Sequence, residues 1–169
     1  DSDFRYSGRP LESLQGLDTH GVVAYVGSFS KALFPPLRVG FVVLPPHLVE
    51  PFVAAKWLAD RQTATLDQQV LSDFITEGHF ERHLRRMRER YGARQAVLRD
   101  ALERQLGGAL RVPEIEAGLS MPAYLTRGIS AREVVERGKL RELDLWSLDR
   151  YALRRRDLRG LLLGFAAFT

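Results

Sequence analysis

The apolar positions of this chain change their period several times, and the first third alternates between loops and short apolar runs. Residues 1–21 show no period, and Gly8–Pro10 is typical of a turn. The unbroken, β-branched run Val22–Val26 predicts a buried strand of the parallel type. A second strand is predicted from Val39 to Leu44, where Pro45 and Pro46 stop it.

Helical spacing begins after this second strand. Pro46 is suited to the first position of a helix that we expect to end near Ala59. A second helix is predicted over Thr65–Thr76, with Thr65 as its cap and Gly78 just beyond its end. The apolar residues of that helix share one face; they are Leu66, Val70, Leu71, Phe74 and Ile75.

A long helix and a small mixed region are predicted for the second half. Apolar residues recur at helical spacing from Phe80 to Leu106, and Gly107 and Gly108 follow. A helix is predicted from Ser130 to about Leu140, where Ser130 and Glu133 fit a capping box. Strands are predicted around it, at Leu110–Val112, Gly118–Thr126, Asp144–Leu148 and Leu161–Ala166. This alternation predicts a small α/β domain.

The composition excludes several kinds of site. The chain has 169 residues, of which 45% are hydrophobic, and it contains no cysteine. Disulfides and thiolate metal sites are therefore excluded. No apolar run is long enough to predict a transmembrane helix, and a cytoplasmic location is the default. His79 and His83 have the spacing of a two-histidine metal face, but no third ligand is evident, so no metal is predicted.

The net charge of +4 raises the possibility of nucleic-acid binding. Positive charge concentrates in Arg82–Arg94 and Arg150–Arg159. In the first stretch the arginines alternate with Glu81 and Glu89 on an amphipathic helix, which is typical of a solvated, ion-paired face. We therefore do not expect this segment itself to contact DNA.

Lys31 is the most informative residue for chemistry. Only three of the 25 basic residues are lysines, and Lys31 lies in a Gly/Ser segment directly after an apolar run. A lysine amine can condense with the aldehyde of pyridoxal phosphate, while Ser28, Ser30 and Arg38 are donor types that bind its phosphate. From spacing alone, a strand followed by a serine-rich turn with an incidental lysine explains the pattern equally well.

A family resemblance decides between these alternatives. Gly27–Lys31 with Leu37–Gly40 resembles the Schiff-base segment of fold-type I aminotransferases, and more narrowly that of the MocR-type regulators of the GntR superfamily. These regulators join a winged-helix DNA-binding domain to an aminotransferase-like domain. The resemblance covers most of the chain. It extends to Asp3–Tyr6 with Gly8–Leu11, Gln62-Thr63 with Asp67-Gln68, Gly78–Arg88 and Gly160–Ala166.

The resemblance implies an α/β fold with two parts. Residues 1–80 would be the carboxy-terminal part of a large, pyridoxal phosphate-binding domain, and 81–169 a linking helix with an incomplete small α/β domain. Lys31 would form the Schiff base, and Ser28, Ser30 and Arg38 would hold the phosphate. Arg159, the basic residue nearest to the last strand, is the candidate for a substrate carboxylate. Ser120 stands where the family often has histidine.

The resemblance also implies partners. The full-length protein would be a homodimer that senses an amine or amino acid and contacts DNA through an upstream winged-helix domain. The family's cofactor-binding Asp and Tyr would fall just before Asp1, so we expect this segment alone to be inactive. A stand-alone amino-acid aminotransferase is the alternative. A degenerate dimerisation module is a third possibility, which the intact Ser28, Lys31 and Arg38 disfavour.

Overall fold

A computed structural model describes residues 4–126, 128–154 and 158–166. These residues form two compact units, one of residues 9–85 and one of residues 4–8 with the described residues from Arg86 onward. The predicted domain boundary at residue 80 stays a prediction. Of the residues used above, Asp3 in the resemblance and Arg155 and Arg156 in the second basic stretch lie outside the described ranges.

In the unit of residues 9–85, two short strands pair in antiparallel fashion. β1 is Tyr25–Ser28 and β2 is Gly40–Val43. The prediction of a buried, parallel-type strand at Val22–Val26 is therefore wrong: the strand begins three residues later, and Val26 is 76% exposed. The connecting residues 29–39 are too few for the crossover that parallel strands require, so the chain turns back on itself.

Three helices follow, at α1 (Pro46–Asp60), α2 (Thr65–Thr76) and α3 (His79–Leu106). All three predicted helices are present with nearly the predicted bounds. Thr65 is not the cap, however, because Ala64 takes the capping position and makes no side-chain hydrogen bond. Gly78 has a φ of 75°, a left-handed conformation that glycine adopts without strain and that separates α2 from α3.

A single carboxylate orders the chain before β1. The two oxygens of Asp18 accept hydrogen bonds from the backbone N–H groups of four residues at 2.7–3.0 Å; these are His20, Gly21, Val22 and Val23. These bonds, of which the one from Val23 has the largest effect, lower the pKa of Asp18 below its ordinary value. The ionised carboxylate thus fixes the path of the chain into the sheet.

The second unit contains an antiparallel sheet in the order β3-β4-β6-β5. Its strands are β3 (Leu110–Arg111), β4 (Ser120–Leu125), β5 (Trp146–Ser147) and β6 (Gly160–Gly164). The central pair runs from Ser120 opposite Gly164 to Tyr124 opposite Gly160. Each predicted strand of this unit is present, three of them shortened at their ends, whereas the last begins one residue before its predicted start and ends two residues early.

The core of this unit lies against one face of the central strands. Met121 and Ala123 alternate along β4 and are fully buried, as is Phe4. The ring of Phe4 meets Tyr91 of α3 edge-on at 5.0 Å. The Tyr6 hydroxyl donates to the carbonyl of Gly118 at 2.7 Å, and burial raises the pKa of Tyr6 to about 12.

The helix α4 of this unit is Ala131–Lys139. Ser130 takes the capping position as predicted, but its side chain makes no capping hydrogen bond, so the predicted capping box is not formed. A short 3₁₀ turn at Leu148–Tyr151 follows β5. Among the described residues, no helix is long and apolar enough to cross a membrane.

We predict that replacing Asp18→Asn in the full-length protein lowers its thermal unfolding midpoint at neutral pH. Because the folded-state pKa of Asp18 is lowered, the stabilisation is fully present above the ordinary carboxyl pKa of about 4 and is lost as pH falls through the folded value. The midpoints of wild type and variant should therefore converge in acid.

Glu12→Gln is the control for this comparison, because within the described ranges the Glu12 side chain makes no hydrogen bond or ion pair. It should leave the midpoint unchanged throughout. A difference between wild type and Asp18→Asn that does not depend on pH would contradict the role of the ionised carboxylate.

Candidate functional site

The antiparallel ladder closes a loop that contains most of the predicted site. Ser28 lies opposite Gly40, and beyond them the N–H of Phe29 donates to the carbonyl of Val39 at 3.1 Å. Residues 29–39, which join β1 to β2, therefore form a closed loop, called the Lys31 loop below. This brings the backbone of Ser28, Ser30 and Lys31, at one end of the loop, close in the fold to Arg38 at the other.

Two glycines permit this register. The ring of Phe41 lies over Gly27, where any Cβ would overlap it, and a Cβ on Gly40 would lie 2.7 Å from the carbonyl oxygen of Gly27. The same Phe41 ring packs against Tyr25 at 5.9 Å and against Phe29 at 5.5 Å. The aromatic cluster thus holds the strand pair and the first residue of the loop together.

The two serines keep hydroxyl donors available. The Ser28 Oγ accepts a hydrogen bond from the N–H of Ser30 at 3.2 Å, which leaves the hydroxyl hydrogen of Ser28 free to donate. The N–H of Leu33 donates to the carbonyl of Phe29 at 2.8 Å and tightens the turn around Lys31. Lys31 itself is exposed.

Arg38 follows a 3₁₀ turn (Pro35–Leu37) in an unusual backbone conformation. Its φ of 51° is left-handed, which costs energy for any residue with a Cβ. Arg38 is exposed, and among the described residues neither Lys31 nor Arg38 has a side-chain hydrogen bond or ion-pair partner. Together with the hydroxyls of Ser30 in the loop and of Ser28 at the end of β1, these two side chains form a donor set that suits a phosphate group.

Two residues that the sequence reasoning missed contact this loop. The Nε2 atom of His83 lies 3.0 Å from the carbonyl oxygen of Ala32, the residue after Lys31. The ring of Phe80 meets Phe29 edge-on at 5.7 Å. Both residues lie in the segment Gly78–Arg88, whose resemblance to the family was the available signal.

Arg159 lies in the other unit. It precedes β6, is exposed, and accepts a backbone hydrogen bond from Leu125 at 3.0 Å through its carbonyl. It lines a cavity of about 250 Å³ together with Ser130, Arg132 and Asp149. Its predicted role toward a carboxylate stays a prediction.

The histidine pair does not form a metal centre with other described groups. His79 contacts the carboxylate of Glu77 at 3.0 Å, whereas His83 contacts the loop. In the part of the chain that the structure describes, no cluster of three His, Cys, Asp or Glu side chains could hold a metal ion.

The fold is that of fold-type I aminotransferases. A structure of kynurenine aminotransferase from Pyrococcus horikoshii matches 98% of this chain and 41% of its own length with a TM-score of 0.86 and 27% identity. LysN, the α-aminoadipate aminotransferase of Thermus thermophilus, matches 98% of this chain and 43% of its own length with a TM-score of 0.85 and 28% identity. The LysN structure is a complex with N-(5'-phosphopyridoxyl)-L-leucine.

The family is established by sequence. The model of the aminotransferase class I and II family matches residues 2–122, and the chain belongs to this family. The probable rhizopine catabolism regulatory protein MocR of Rhizobium meliloti is 37% identical over 98% of the chain. The HTH-type transcriptional regulator YhdI of Bacillus subtilis is 33% identical over the whole chain. The chain spans only about a third of these relatives, 34% and 36% of their lengths.

Proposed function

We propose that this chain belongs to the pyridoxal phosphate-binding domain of a DNA-binding transcription regulator, and that Lys31 is the residue that bonds to the cofactor. The observation that supports this most directly is the closed loop that carries Ser30, Lys31 and Arg38 and follows directly on Ser28 of β1. The same loop resembles the lysine segment of the family to which the chain belongs.

In this proposal four residues share the binding of the cofactor. Pyridoxal phosphate, when bound, supplies an aldehyde that condenses with an amine, releasing water, and a ring that withdraws electrons. Lys31 provides the amine. The hydroxyls of Ser28 and Ser30 would donate to the phosphate, and the planar guanidinium group of Arg38 would bind it through paired hydrogen bonds.

The other two lysines are poor alternatives to Lys31. Lys56 pairs with Asp60 at 2.7 Å and Lys139 pairs with Glu136 at 3.2 Å. In each pair the ammonium group contacts a carboxylate on a neighbouring turn of the same helix. Lys31 has no such partner among the described residues, which leaves its amine available.

The regulator assignment rests on the relatives, among which YhdI is an HTH-type transcriptional regulator. In this proposal the full-length protein is a cytoplasmic homodimer, and DNA is bound by a winged-helix domain outside this segment. An amine or amino-acid effector would compete with Lys31 for the same aldehyde. Arg159 is our candidate for the effector's carboxylate.

A stand-alone amino-acid aminotransferase is the second candidate, favoured by the aminotransferases among the similar structures. Sequencing the coding region upstream of Asp1 distinguishes the two, because a winged-helix domain there supports the regulator. An assay of the full-length protein with amino acids and a 2-oxo acid supplies the complementary measurement.

We predict that borohydride reduction of the full-length protein with pyridoxal phosphate attaches the pyridoxyl group to Lys31. Peptide mapping by mass spectrometry locates the label, and Lys31→Ala should abolish it. Lys56→Ala is the matched control and should leave the label in place. A label on Lys56 or Lys139 instead would show that the site is wrongly assigned.

We predict that Arg38→Ala weakens cofactor affinity roughly tenfold to a hundredfold, since a hydrogen bond to a charged group contributes about 1.5–3 kcal/mol. Arg38→Lys should restore only part of the affinity, because lysine cannot bind two phosphate oxygens in one plane. The dissociation constant is measured by fluorescence titration.

Arg61→Ala is the control for Arg38, since Arg61 is also exposed and has a left-handed φ of 56° but lies at the end of α1. Its replacement should leave the affinity unchanged. If Arg38→Ala binds the cofactor as tightly as wild type, Arg38 serves only the turn.

A further inference from the structure

We propose that His83 and Phe80, on the first two turns of α3, are positioning residues that hold the Lys31 loop in its cofactor-binding form. This inference rests on the proposed function of Lys31 and extends it to two residues of α3. Neither residue needs to touch the cofactor; both act through the backbone or the packing of the loop.

The contact of His83 is directed at the residue after the lysine. The Nε2 atom lies 3.0 Å from the carbonyl oxygen of Ala32. Because a carbonyl can only accept, Nε2 must carry the hydrogen in this contact. Ala32 is only 3% exposed, so this carbonyl has little access to water as a replacement partner.

The contact of Phe80 is directed at the residues before the lysine. Its ring meets Phe29 edge-on, with the ring centres 5.7 Å apart and the planes at 73°. Phe29 stands between Ser28 and Ser30, and its ring also packs on Phe41. The beginning of α3 therefore contacts the loop on both sides of Ser30 and Lys31.

The two contacts have a common consequence for Lys31. The turn around it is closed by the N–H of Leu33 on the carbonyl of Phe29 at 2.8 Å. Loss of the His83 donor leaves a buried acceptor next to this turn without a partner, which favours opening of the loop. An open loop moves Ser30 and Lys31 away from Ser28 of β1, so the phosphate and the aldehyde would no longer be bound together.

The first test uses the cofactor-free full-length protein and amide hydrogen exchange read by mass spectrometry. The reporter amides are those of Phe29 and Leu33, which are hydrogen-bonded within the loop. We expect His83→Leu to accelerate their exchange about tenfold, since an unsatisfied buried acceptor shifts the opening equilibrium by that order. His79→Leu, whose wild-type ring contacts Glu77 and Phe74 rather than the loop, should leave it unchanged.

A pair of amide variants keeps the test independent of folding defects. The glutamine of His83→Gln can place an N–H donor near the position of Nε2, whereas the asparagine of His83→Asn is too short. We expect Gln to restore slow exchange and Asn to behave like Leu. Equal exchange rates in the Gln and Asn variants would overturn the role of the hydrogen bond.

Phe80→Leu should accelerate exchange at the Phe29 amide more than at the Leu33 amide. An unchanged rate at Phe29 would overturn the role of Phe80.

The second test measures how fast the pyridoxyl label accumulates on Lys31 when borohydride is present. We expect labelling to slow about tenfold in His83→Leu, because the loop-opening equilibrium shifts toward the open form by that factor. Labelling should recover in His83→Gln. If wild-type Lys31 takes no label, the proposed function fails, while hydrogen exchange still tests whether His83 and Phe80 hold the loop. If Lys31 of His83→Leu is labelled at the wild-type rate and hydrogen exchange is unchanged, only the role of His83 in holding the loop is refuted.

Discussion

The close contact between the Phe41 ring and Gly27 is the constraint on which the candidate site depends. It is possible only because position 27 has no Cβ, and it sets the register that places Ser28 opposite Gly40. From that register the ladder continues to Phe29 and Val39, which closes the loop. Two glycines thus permit the strand register, and the register closes the loop. The closed loop carries Lys31 and the donor groups that we propose bind a phosphate.

The loop is supported from elements distant in sequence as well as from its own strands. Asp18 orders the chain that enters β1 through four backbone hydrogen bonds, and the first turns of α3 contact Phe29 and Ala32. The helix that supplies these contacts continues without a break to Leu106. Arg38 is held in a left-handed conformation that glycine would adopt more easily. A residue held against its local preference is a candidate for a functional role, and this agrees with the phosphate contact that we propose for Arg38.

The helices could be predicted from the sequence because their signals are local. Gly78 and the paired glycines after Leu106 define the ends of α2 and α3, and both helices have the predicted bounds to within one residue. The prediction of a buried strand at Val22–Val26 was wrong because an apolar run is buried only where neighbouring elements cover it. In the part of the fold described here, β1 pairs only with β2. Lys31, Ser28 and Arg38 were visible as residue types at a strand end. The contacts of His83 and Phe80 were not, because they join residues about fifty positions apart and arise only from tertiary packing.

The most direct measurement of the central claim is a crystal structure of the full-length protein grown with pyridoxal phosphate. We expect continuous electron density from the Lys31 Nζ to the cofactor. We also expect the phosphate to lie within hydrogen-bonding distance of the Ser28 and Ser30 hydroxyls and of the Arg38 guanidinium. A cofactor bound elsewhere, or one whose phosphate contacts neither the serines nor Arg38, would contradict it.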